Sequence, residues 1–388
     1  MGLLDVWTDP LSAATFRTDY LGRRSLHRPA SRAALDSVLG VRGWSLPELL
    51  AGRRKNVTAW MNALDGRHLT AEVSPTVARR LYDAGTTLYL LEVDGLDGVA
   101  GAVAADLRVP VTRVTVGVFC NQPGAYTPMH FDPVDTITVQ LAGSKRWWIA
   151  PNPLAPQPTI AWAVRDRAVD PELWQYAHDP LPVERLPGAE EHLLTPGSVL
   201  YIPRGWWHET HSDVESVSLH VHHVHLPWAD AVLESLRGVL LRQERWRAGA
   251  HPLWDADRRD EAGATAAELL DDLVRAAREL APADVLPAAE KDAAGAQRLV
   301  RRAVAGVAFL GPGADGQRQV EVAALEHGAQ RRSTLAVGAD QEAGVRLLVA
   351  ADRPLSLTDL AAQVPGLSVD RARELVGLLL DTGFLRAA

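Results

Sequence analysis

The stretch from Thr127 to Asp132 constrains the fold and the chemistry of this chain more than any other part of its sequence. His130 and Asp132 are two residues apart, and alternation along a β-strand would direct both side chains to the same face. A His-x-Asp pair alone is a weak pattern that also arises by chance on surfaces and in cores. Here an apolar, β-branched segment from Thr136 to Leu141 follows the pair and predicts a buried strand. The sequence therefore predicts a metal site carried by a β-sheet.

A second stretch, from Tyr201 to His208, supplies the candidate for a third ligand. A predicted turn and apolar strand come before His208 in the chain, and a bend at Arg204 and Gly205 separates that strand from His208. Two imidazoles and one carboxylate on one side of a metal leave positions open, an arrangement that suits non-haem Fe(II) oxygen chemistry. His211 is the rival ligand, but three residues further along a strand it would face the opposite way. We predict that His130, Asp132 and His208 form the metal site.

Lys145 is one of only three lysines in a chain rich in arginine. It lies between the predicted metal strand and two tryptophans, Trp147 and Trp148, in a stretch that is typical of a barrel wall. An ammonium group inside a barrel can pair with the distal carboxylate of 2-oxoglutarate, whereas a surface lysine would be solvated. We therefore predict a ligand-binding role for Lys145.

These motifs resemble the JmjC branch of the cupin superfamily of Fe(II)/2-oxoglutarate oxygenases. The resemblance rests on Thr-Pro-x-His-x-Asp, on a lysine fifteen positions after the first histidine, and on Tyr-Ile-Pro-x-x-Trp-Trp-His. It covers roughly the first 225 residues of the chain. It implies a double-stranded β-helix (jelly roll), an iron triad of His130, Asp132 and His208, and a reaction that consumes 2-oxoglutarate and O2.

The same resemblance assigns the residues that hold 2-oxoglutarate. Thr127 and Lys145 match the residues that bind its C5 carboxylate, and Ser218 stands where relatives often place another polar contact. Phe119 lies near the position at which many relatives have a tyrosine that helps to hold the co-substrate. That substitution removes one expected hydrogen bond and leaves the rest of the pattern unchanged.

Composition limits the classes of protein to which the chain can belong. The formal net charge is −8, with acids and arginines interspersed, which argues against non-specific binding of nucleic acid or of anionic membranes. No apolar run approaches the length of a membrane span, and the first residues lack the pattern of a signal peptide. The single cysteine, Cys120, cannot form an internal disulfide, as expected in a reducing compartment. We expect a cytoplasmic protein that contacts no membrane.

Two segments have several possible roles. A long proline-rich insertion, residues 151–187, is either a lid or substrate wall, or a surface excursion that packs its tryptophans. A run of histidines, His220, His222, His223 and His225, suggests a second metal site. His220 and His222 share a strand face, but no carboxylate or cysteine accompanies them at ligand spacing. We therefore expect solvated or hydrogen-bonded histidines.

The element order predicts an α+β chain of three domains. A catalytic jelly roll at 1–226 is followed by a helical region at 227–312, which we expect to dimerise, and by a winged helix at 313–388. The glycines from Gly311 to Gly316 are interpreted as a hinge. The predicted recognition helix, from Val369 to Leu375, mixes acids with its arginines, which favours a protein-contact or structural role over DNA binding. This order resembles the ribosomal oxygenases, which are dimers that hydroxylate side chains of ribosomal proteins.

The leading hypothesis is thus an Fe(II)/2-oxoglutarate dioxygenase that hydroxylates an amino-acid side chain in a protein or peptide. The first alternative is a hydroxylase of a peptide natural product or small metabolite in a biosynthetic pathway. The second is a ligand-sensing cupin that regulates transcription through a DNA-binding winged helix. A complete iron triad would be hard to explain in such a sensor.

Overall fold

The computed structural model describes residues 2–38, 44–51, 53, 55–62, 68–164, 170–177, 181–182, 184–285, 299–301, 305–313, 317–326, 329–351 and 354–387. The chain divides into two units, Met1–His225 and Leu226–Ala388, which we call unit 1 and unit 2. Among the described residues, no helix combines the length and the apolar composition that crossing a lipid bilayer requires.

Unit 1 combines many strands with short helices. Its strands are β1 (Leu26–Arg28), β2 (Val57–Asn62), β3 (His68–Val73), β4 (Thr87–Leu91), β5 (Val114–Asn121), β6 (Tyr126–Phe131), β7 (Val134–Gly143), β8 (Lys145–Ala150), β9 (Trp162–Ala163), β10 (Glu190–Leu194), β11 (Val199–Ile202), β12 (Trp207–His211) and β13 (Ser216–Val224). Its helices are α1 (Leu3–Trp7), α2 (Ala13–Asp19), α3 (Arg32–Asp36), α4 (Leu46–Leu50), α5 (Pro75–Asp83), α6 (Asp97–Leu107) and α7 (Pro171–Trp174).

The strands of unit 1 form two antiparallel sheets. The larger has the order β1-β11-β7-β13-β5-β4-β2-β3, and the smaller has the order β10-β8-β12-β6-β9. Trp147 and Ile149 of the smaller sheet pack against Leu200 and Ile202 of the larger one, so the sheets face each other. This architecture confirms the jelly roll expected for the catalytic region.

Alternation along β7 separates a polar inner face from an apolar outer face. Thr136 and Thr138 point towards the space between the sheets, where they contact histidines of β13. Ile137 and Val139 point the other way and belong to the main hydrophobic core, which also contains Phe16 of α2. Because the N-terminal helices cover the outer face, the inner face is left to form a polar cavity.

The insertion at 151–187 adds a strand to the smaller sheet. β9 pairs with β6, with Ala163 opposite His130. The guanidinium group of Arg204 donates hydrogen bonds to the carbonyl oxygens of Gln157 and Pro158, the latter at 2.8 Å. Trp162 is buried, whereas Trp174 is 69% exposed. The described parts of the insertion are thus attached to β6 and to Arg204, and its role as a lid, a wall or a surface excursion stays a prediction; residues 165–169, 178–180 and 183 lie outside the described residues.

Unit 2 contains helices and two small sheets. Its elements are α8 (Trp228–Leu240), α9 (Arg259–Glu279), α10 (Pro282–Val285), β14 (Leu299–Arg301), β15 (Ala305–Pro312), β16 (Arg318–Glu326), β17 (Ala329–Val337), α11 (Ala339–Ala350), α12 (Leu357–Gln363), α13 (Val369–Asp381) and β18 (Leu385–Ala387). The sheets are β15-β16-β17 and β14-β18, both antiparallel.

The strand pairing in unit 2 bears on the second predicted domain boundary. Pro312 at the end of β15 pairs with Arg318 at the start of β16, so the glycine-rich segment joins two strands of one sheet. The interpretation of this segment as a hinge is therefore wrong, because strands paired on either side of it cannot move as separate domains. The boundary at 312/313 falls inside this sheet, and the three-domain division otherwise stays a prediction.

The last helices have the expected N-caps. Ser356 accepts a hydrogen bond from the amide of Asp359, and Ser368 accepts one from the amide of Arg371. On α13, Arg371 forms an ion pair with Asp340 and Arg373 forms one with Asp370. The protein-contact or structural role that the sequence favours for this region over DNA binding stays a prediction. The interpretation of the region as a winged helix also stays a prediction.

A glycine at the end of β7 gives a test of this fold. Gly143 has a φ of 63°, and a Cβ there would lie 1.7 Å from the carbonyl oxygen of Glu215. Gly124 has a φ of 83°, but a Cβ there would meet no atom within 4 Å. We expect Gly124→Ala to cost roughly 1–2 kcal/mol of unfolding free energy and Gly143→Ala roughly 2–5 kcal/mol, because overlap adds to strain. Chemical denaturation of both variants measures the difference, and equal losses would contradict the packing of β7 against β13.

Candidate metal centre

Two neighbouring strands of the smaller sheet bring three predicted ligands together. β6 carries His130 and ends just before Asp132, and β12 pairs with β6 so that His208 lies directly opposite His130. The Oδ2 atom of Asp132 is 3.7 Å from Nε2 of His130 and 3.4 Å from Nε2 of His208. The three ligand atoms lie within 4.8 Å of one another. Metal–ligand bonds of roughly 2.0–2.2 Å can span such separations.

Backbone carbonyls orient both imidazole rings. The Nδ1 atom of His130 donates a hydrogen bond of 2.7 Å to the carbonyl of Pro128, and Nδ1 of His208 donates one of 3.0 Å to that of Trp206. A carbonyl can only accept, so each Nδ1 carries a hydrogen. The Nε2 atoms therefore point towards Asp132 and are left to bind a proton or a metal ion. Such hydrogen bonds to the far ring nitrogen are the usual support of metal-binding histidines.

The charge state of Asp132 also suits a metal ligand. Burial alone would raise the pKa of Asp132, but the hydrogen bond from His208 and the charge of His130 lower it well below its usual value. The group is thus a carboxylate at neutral pH. A divalent cation would replace the protons on the two Nε2 atoms, since metal and protons compete for the same positions.

The three ligands open into a cavity of about 550 Å³ between the two sheets. This volume is in the range of sites that bind small molecules. Most of the other lining residues are aromatic, imidazole or hydroxyl side chains, namely Trp60, Thr87, Tyr89, Thr115, Phe119, Tyr126, Thr127, Thr136, Trp147, Trp162, Thr210, His220 and His222. Asn121 and Lys145 also line this cavity.

Lys145 is a buried cation in the wall of this cavity. Its Nζ atom donates a hydrogen bond of 3.2 Å to Oδ1 of Asn121 and lies 5.3 Å from the ring centroid of Trp147. Burial lowers the pKa of Lys145 to about 8, because water no longer solvates the ammonium group. Within the described residues no carboxylate forms an ion pair with it. A bound anion would therefore supply the missing counter-charge.

The other two predicted co-substrate residues are placed differently. Thr127, on β6, lines the cavity. Ser218 is fully buried on β13 but is not among the lining residues, and its hydroxyl lies 3.1 Å from Nε2 of His220, which does line the cavity. The structure therefore brings Thr127 and Lys145 to the cavity directly and Ser218 only through His220. Their roles in binding 2-oxoglutarate stay predictions.

The two rival histidine assignments have clear outcomes. His211 lies 3.1 Å from Asp213 and does not line the cavity, so the geometry favours His208 as the third member of the cluster. His220 and His222 contact the hydroxyls of Thr138 and Thr136, which confirms that they are hydrogen-bonded. Burial lowers the pKa of both histidines, so they are neutral at the cavity wall.

Several polar residues that line the cavity were not predicted from the sequence, and Tyr89 and Asn121 are two of them. Tyr89 on β4 stacks on Phe119 with ring centroids 4.3 Å apart, and burial raises its pKa to about 12, so its hydroxyl stays protonated. Asn121 on β5 accepts from Lys145 and donates to the hydroxyl of Thr87 at 3.0 Å. Only the pairing of β4 with β5 brings these side chains to the cavity. The sequence contains no local signal for such a register.

His223 and His225 are hydrogen-bonded, as expected, and their partner is a carboxylate that does not stand at ligand spacing in the sequence. Asp135 on β7 lies opposite His223 on β13. Its Oδ2 atom is 3.2 Å from Nδ1 of His223 and 2.7 Å from Nε2 of His225. The carboxylate comes from a distant part of the sequence, so spacing within the histidine run could not reveal it.

Two facing antiparallel sheets with a His–Asp–His cluster between them define a jelly-roll metalloprotein. Comparison with known proteins agrees with this class. The family model for the JmjC domain matches residues 103–231. The uncharacterized protein YxbC of Bacillus subtilis (strain 168) is 30% identical over 231 residues, which are 57% of this chain and 69% of YxbC.

Two further comparisons concern ribosomal oxygenases. Ribosomal oxygenase 2 of Rattus norvegicus is 32% identical over 123 residues, which are 29% of this chain and only 22% of that protein. The X-ray structure of YcfD from Escherichia coli is similar with a TM-score of 0.45 and 15% identity, covering 97% of this chain and 98% of YcfD.

The chain belongs to the JmjC domain family. Members of this family are oxygenases that depend on Fe(II) and 2-oxoglutarate. The expected cofactor and co-substrate are thereby confirmed, and the donor set of two imidazoles and one carboxylate fits Fe(II).

Proposed function

We propose that this chain is an Fe(II)/2-oxoglutarate-dependent dioxygenase that hydroxylates an amino-acid side chain in a protein or peptide. The observation that carries the proposal is the convergence of His130, Asp132 and His208 on one cavity that also contains a buried lysine, with which no carboxylate of the described residues pairs. Two relatives support an amino-acid substrate by their names: Ribosomal oxygenase 2, and the bifunctional lysine-specific demethylase and histidyl-hydroxylase NO66 of Drosophila persimilis, which is 29% identical over 93 residues. This chain spans only 22% and 11% of their lengths.

In this proposal the three side chains hold the iron through Nε2 of His130, Nε2 of His208 and a carboxylate oxygen of Asp132. A donor set of two imidazoles and one carboxylate would leave coordination positions open for 2-oxoglutarate and O2. Bound iron supplies the O2 chemistry that oxidises 2-oxoglutarate to succinate and CO2 and inserts the second oxygen atom into a C–H bond. The carbonyls of Pro128 and Trp206 keep both rings in their binding orientation throughout.

Lys145 and Thr127 bind the C5 carboxylate of 2-oxoglutarate. A charge-assisted hydrogen bond in a water-poor cavity is stronger than one at the surface, and it offsets the cost of burying the ammonium group. Asn121 holds that group towards the cavity through its 3.2 Å hydrogen bond. Tyr89, stacked on Phe119, offers a protonated hydroxyl on the cavity wall.

The size of the cavity supports a substrate that inserts one side chain. About 550 Å³ accommodates 2-oxoglutarate and a side chain, but it does not accommodate a folded domain. Trp147 of β8, whose ring lies 6.0 Å from that of His208, and Trp60 of β2 form aromatic walls of the cavity. These walls hold the target carbon close to the metal and exclude bulk water, and placement of this kind is the main contribution that a protein makes to such chemistry.

The triad assignment is tested by turnover. His130→Ala and Asp132→Ala should each abolish the iron-dependent conversion of 2-oxoglutarate to succinate, because two remaining ligands hold Fe(II) poorly. His211→Ala is the matched control and should retain wild-type turnover, since this histidine does not line the cavity. Succinate formation measures the result, and the intact mass of candidate substrates shows whether one oxygen atom is gained. Undiminished turnover in either triad variant would remove the assignment.

Lys145→Met separates a binding role from a structural role. Removing a buried, unneutralised charge should raise the unfolding free energy at pH 7 by roughly 1–3 kcal/mol, while 2-oxoglutarate binding weakens by at least roughly ten-fold. Lys145 loses its proton near pH 8 in the folded chain and near pH 10.5 in the unfolded chain. As the pH rises from 8 to 10.5, the unfolding free energy of the wild type should therefore increase relative to that of the variant. Wild-type affinity for 2-oxoglutarate should fall as the pH rises above 8. Calorimetry measures both quantities, and unchanged affinity in the variant would refute the binding role.

We also propose that the chain forms a homodimer through the first helices of unit 2. Large apolar side chains are exposed on α8, on α9 and on the turn between them: Trp228 is 73% exposed, Leu233 61%, Leu253 63%, Trp254 88% and Leu270 59%. Exposed apolar side chains in such number are characteristic of an interface. A second copy of the same helices is an occupant of matching chemistry, since a two-fold interface pairs one surface with itself.

The proposed dimer is tested by charge insertion. Leu233→Glu should shift the chain from dimer to monomer at micromolar concentration, because a buried carboxylate without a partner opposes association. Leu310→Glu is the matched control, since Leu310 is 54% exposed on β15 outside this surface. Light scattering after size-exclusion chromatography measures the mass. A wild-type monomer, or an unchanged mass for Leu233→Glu, would contradict the proposal.

A further inference from the structure

A second cluster of metal-ligating side chains lies on the outer face of the larger sheet. Asp135 on β7, His223 on β13 and His225 just after β13 direct one carboxylate oxygen and two ring nitrogens towards one point, all within 4.8 Å. Asp135 is 2% exposed, and the side chains of His223 and His225 are 12% and 23% exposed. The cluster is thus buried at the carboxylate and accessible at the imidazoles.

The carboxylate of Asp135 is oriented by groups outside the cluster. Its Oδ1 atom accepts hydrogen bonds of 2.9 Å from the hydroxyl of Tyr201 and from the backbone amide of Arg204. The same hydroxyl accepts a hydrogen bond from the amide of Gly22. These contacts fix the carboxylate and leave Oδ2 to face both histidines. Outer hydrogen bonds of this kind are what holds a metal-binding carboxylate in place.

The charge of Asp135 agrees with this geometry. Burial alone would raise the pKa of Asp135, but the hydrogen bonds from His223 and His225 and from the Arg204 amide lower it well below its usual value. The group is therefore an anion at neutral pH, in a buried position, with two imidazoles as its partners.

We propose that Asp135, His223 and His225 form a second binding site for a divalent transition-metal ion, distinct from the iron centre. The ligand atoms would be Oδ2 of Asp135, Nδ1 of His223 and Nε2 of His225. The set of two imidazoles and one carboxylate is the same as in the first cluster, and the separations between its atoms are comparable.

The donor set determines which ions the second site binds. Imidazole nitrogen suits Zn²⁺, Co²⁺, Ni²⁺ and Fe²⁺, whereas Mg²⁺ and Ca²⁺ prefer oxygen ligands. In the metal-free chain the two ring nitrogens donate hydrogen bonds to Oδ2, so the metal takes the place of those protons. Water completes the coordination on the exposed side of the imidazoles.

The second site adjoins the iron centre through the backbone. Arg204 binds Oδ1 of Asp135 through its amide, and the next amide, that of Gly205, donates a hydrogen bond of 2.9 Å to the carbonyl of Asp132. These two contacts fasten the bend that precedes His208 to the segment that carries Asp132. A metal on Asp135 therefore stiffens the support of the first site without contributing a ligand to it.

The test is a titration of the full-length, metal-free chain with Co²⁺ alone, followed by visible absorption and by metal analysis after dialysis. The wild type should bind two equivalents. His130→Ala/His208→Ala should bind one equivalent, and in that background His223→Ala/His225→Ala should leave none. The single variant His225→Ala, at a partly exposed position, should weaken the second equivalent by at least roughly ten-fold. Mg²⁺ in excess should not displace it.

The arms of this experiment separate the two sites. The His130→Ala/His208→Ala chain reports the second site whether or not the oxygenase proposal holds, and it leaves Asp135, His223 and His225 intact. His27→Ala/His192→Ala is the matched control, because these rings are also paired, 4.8 Å apart, yet belong to neither cluster, and it should bind two equivalents. The proposal is overturned if the His130→Ala/His208→Ala chain binds no Co²⁺, or if its bound equivalent survives removal of His223 and His225.

Discussion

The antiparallel pairing of β6 with β12 places His208 opposite His130, and the metal centre exists only in this register. Side chains alternate along both strands, so a shift of one residue would turn a ligand from the cavity into the opposite layer. The opposite faces carry Met129, Phe131 and Trp207, which are fully buried together in a separate apolar cluster. Burial of these three side chains opposes such a shift. The packing on one face thus sets the ligand geometry on the other.

The charged side chains in the cavity lower the stability of the fold, because burial removes their hydration. A buried ammonium at Lys145 and a carboxylate at Asp132 lose hydration, whereas the two lining histidines of β13 avoid that loss by staying neutral. The hydrogen bond that Lys145 donates to Asn121 compensates only part of it. A divalent cation at one end and a dianion at the other would neutralise both charges. The protein therefore gives up stability in exchange for a site that is oriented before its ligands arrive.

Much of the metal centre could be predicted from the sequence because its signals are local. Strand alternation predicts that His130 and Asp132 share a face, and the bend at Arg204 and Gly205 points to His208 as the third ligand. Lys145 is conspicuous because the chain contains few lysines. Tyr89 and Asn121 reach the cavity only through the register of β4 with β5, which no short segment encodes. The sequence analysis did not predict strands β15 to β17, although Ala305, Val307 and Phe309 of β15 alternate with more exposed residues. Their alanine and glycine content weakens the β-branched signal by which strands are recognised.

The four histidines at the end of β13 illustrate how one short run can serve two faces of a sheet. His220 and His222 line the cavity, with Ser218 in contact with His220, and His223 points to the outer face with Asp135. His225 follows the strand, so its side chain is free of the alternation and also reaches Asp135. Six residues therefore contribute to two polar clusters, one in the cavity and one on the outer face of the sheet. The neighbouring strand β7 supplies partners to both, Thr136 and Thr138 on its inner face and Asp135 on its outer face.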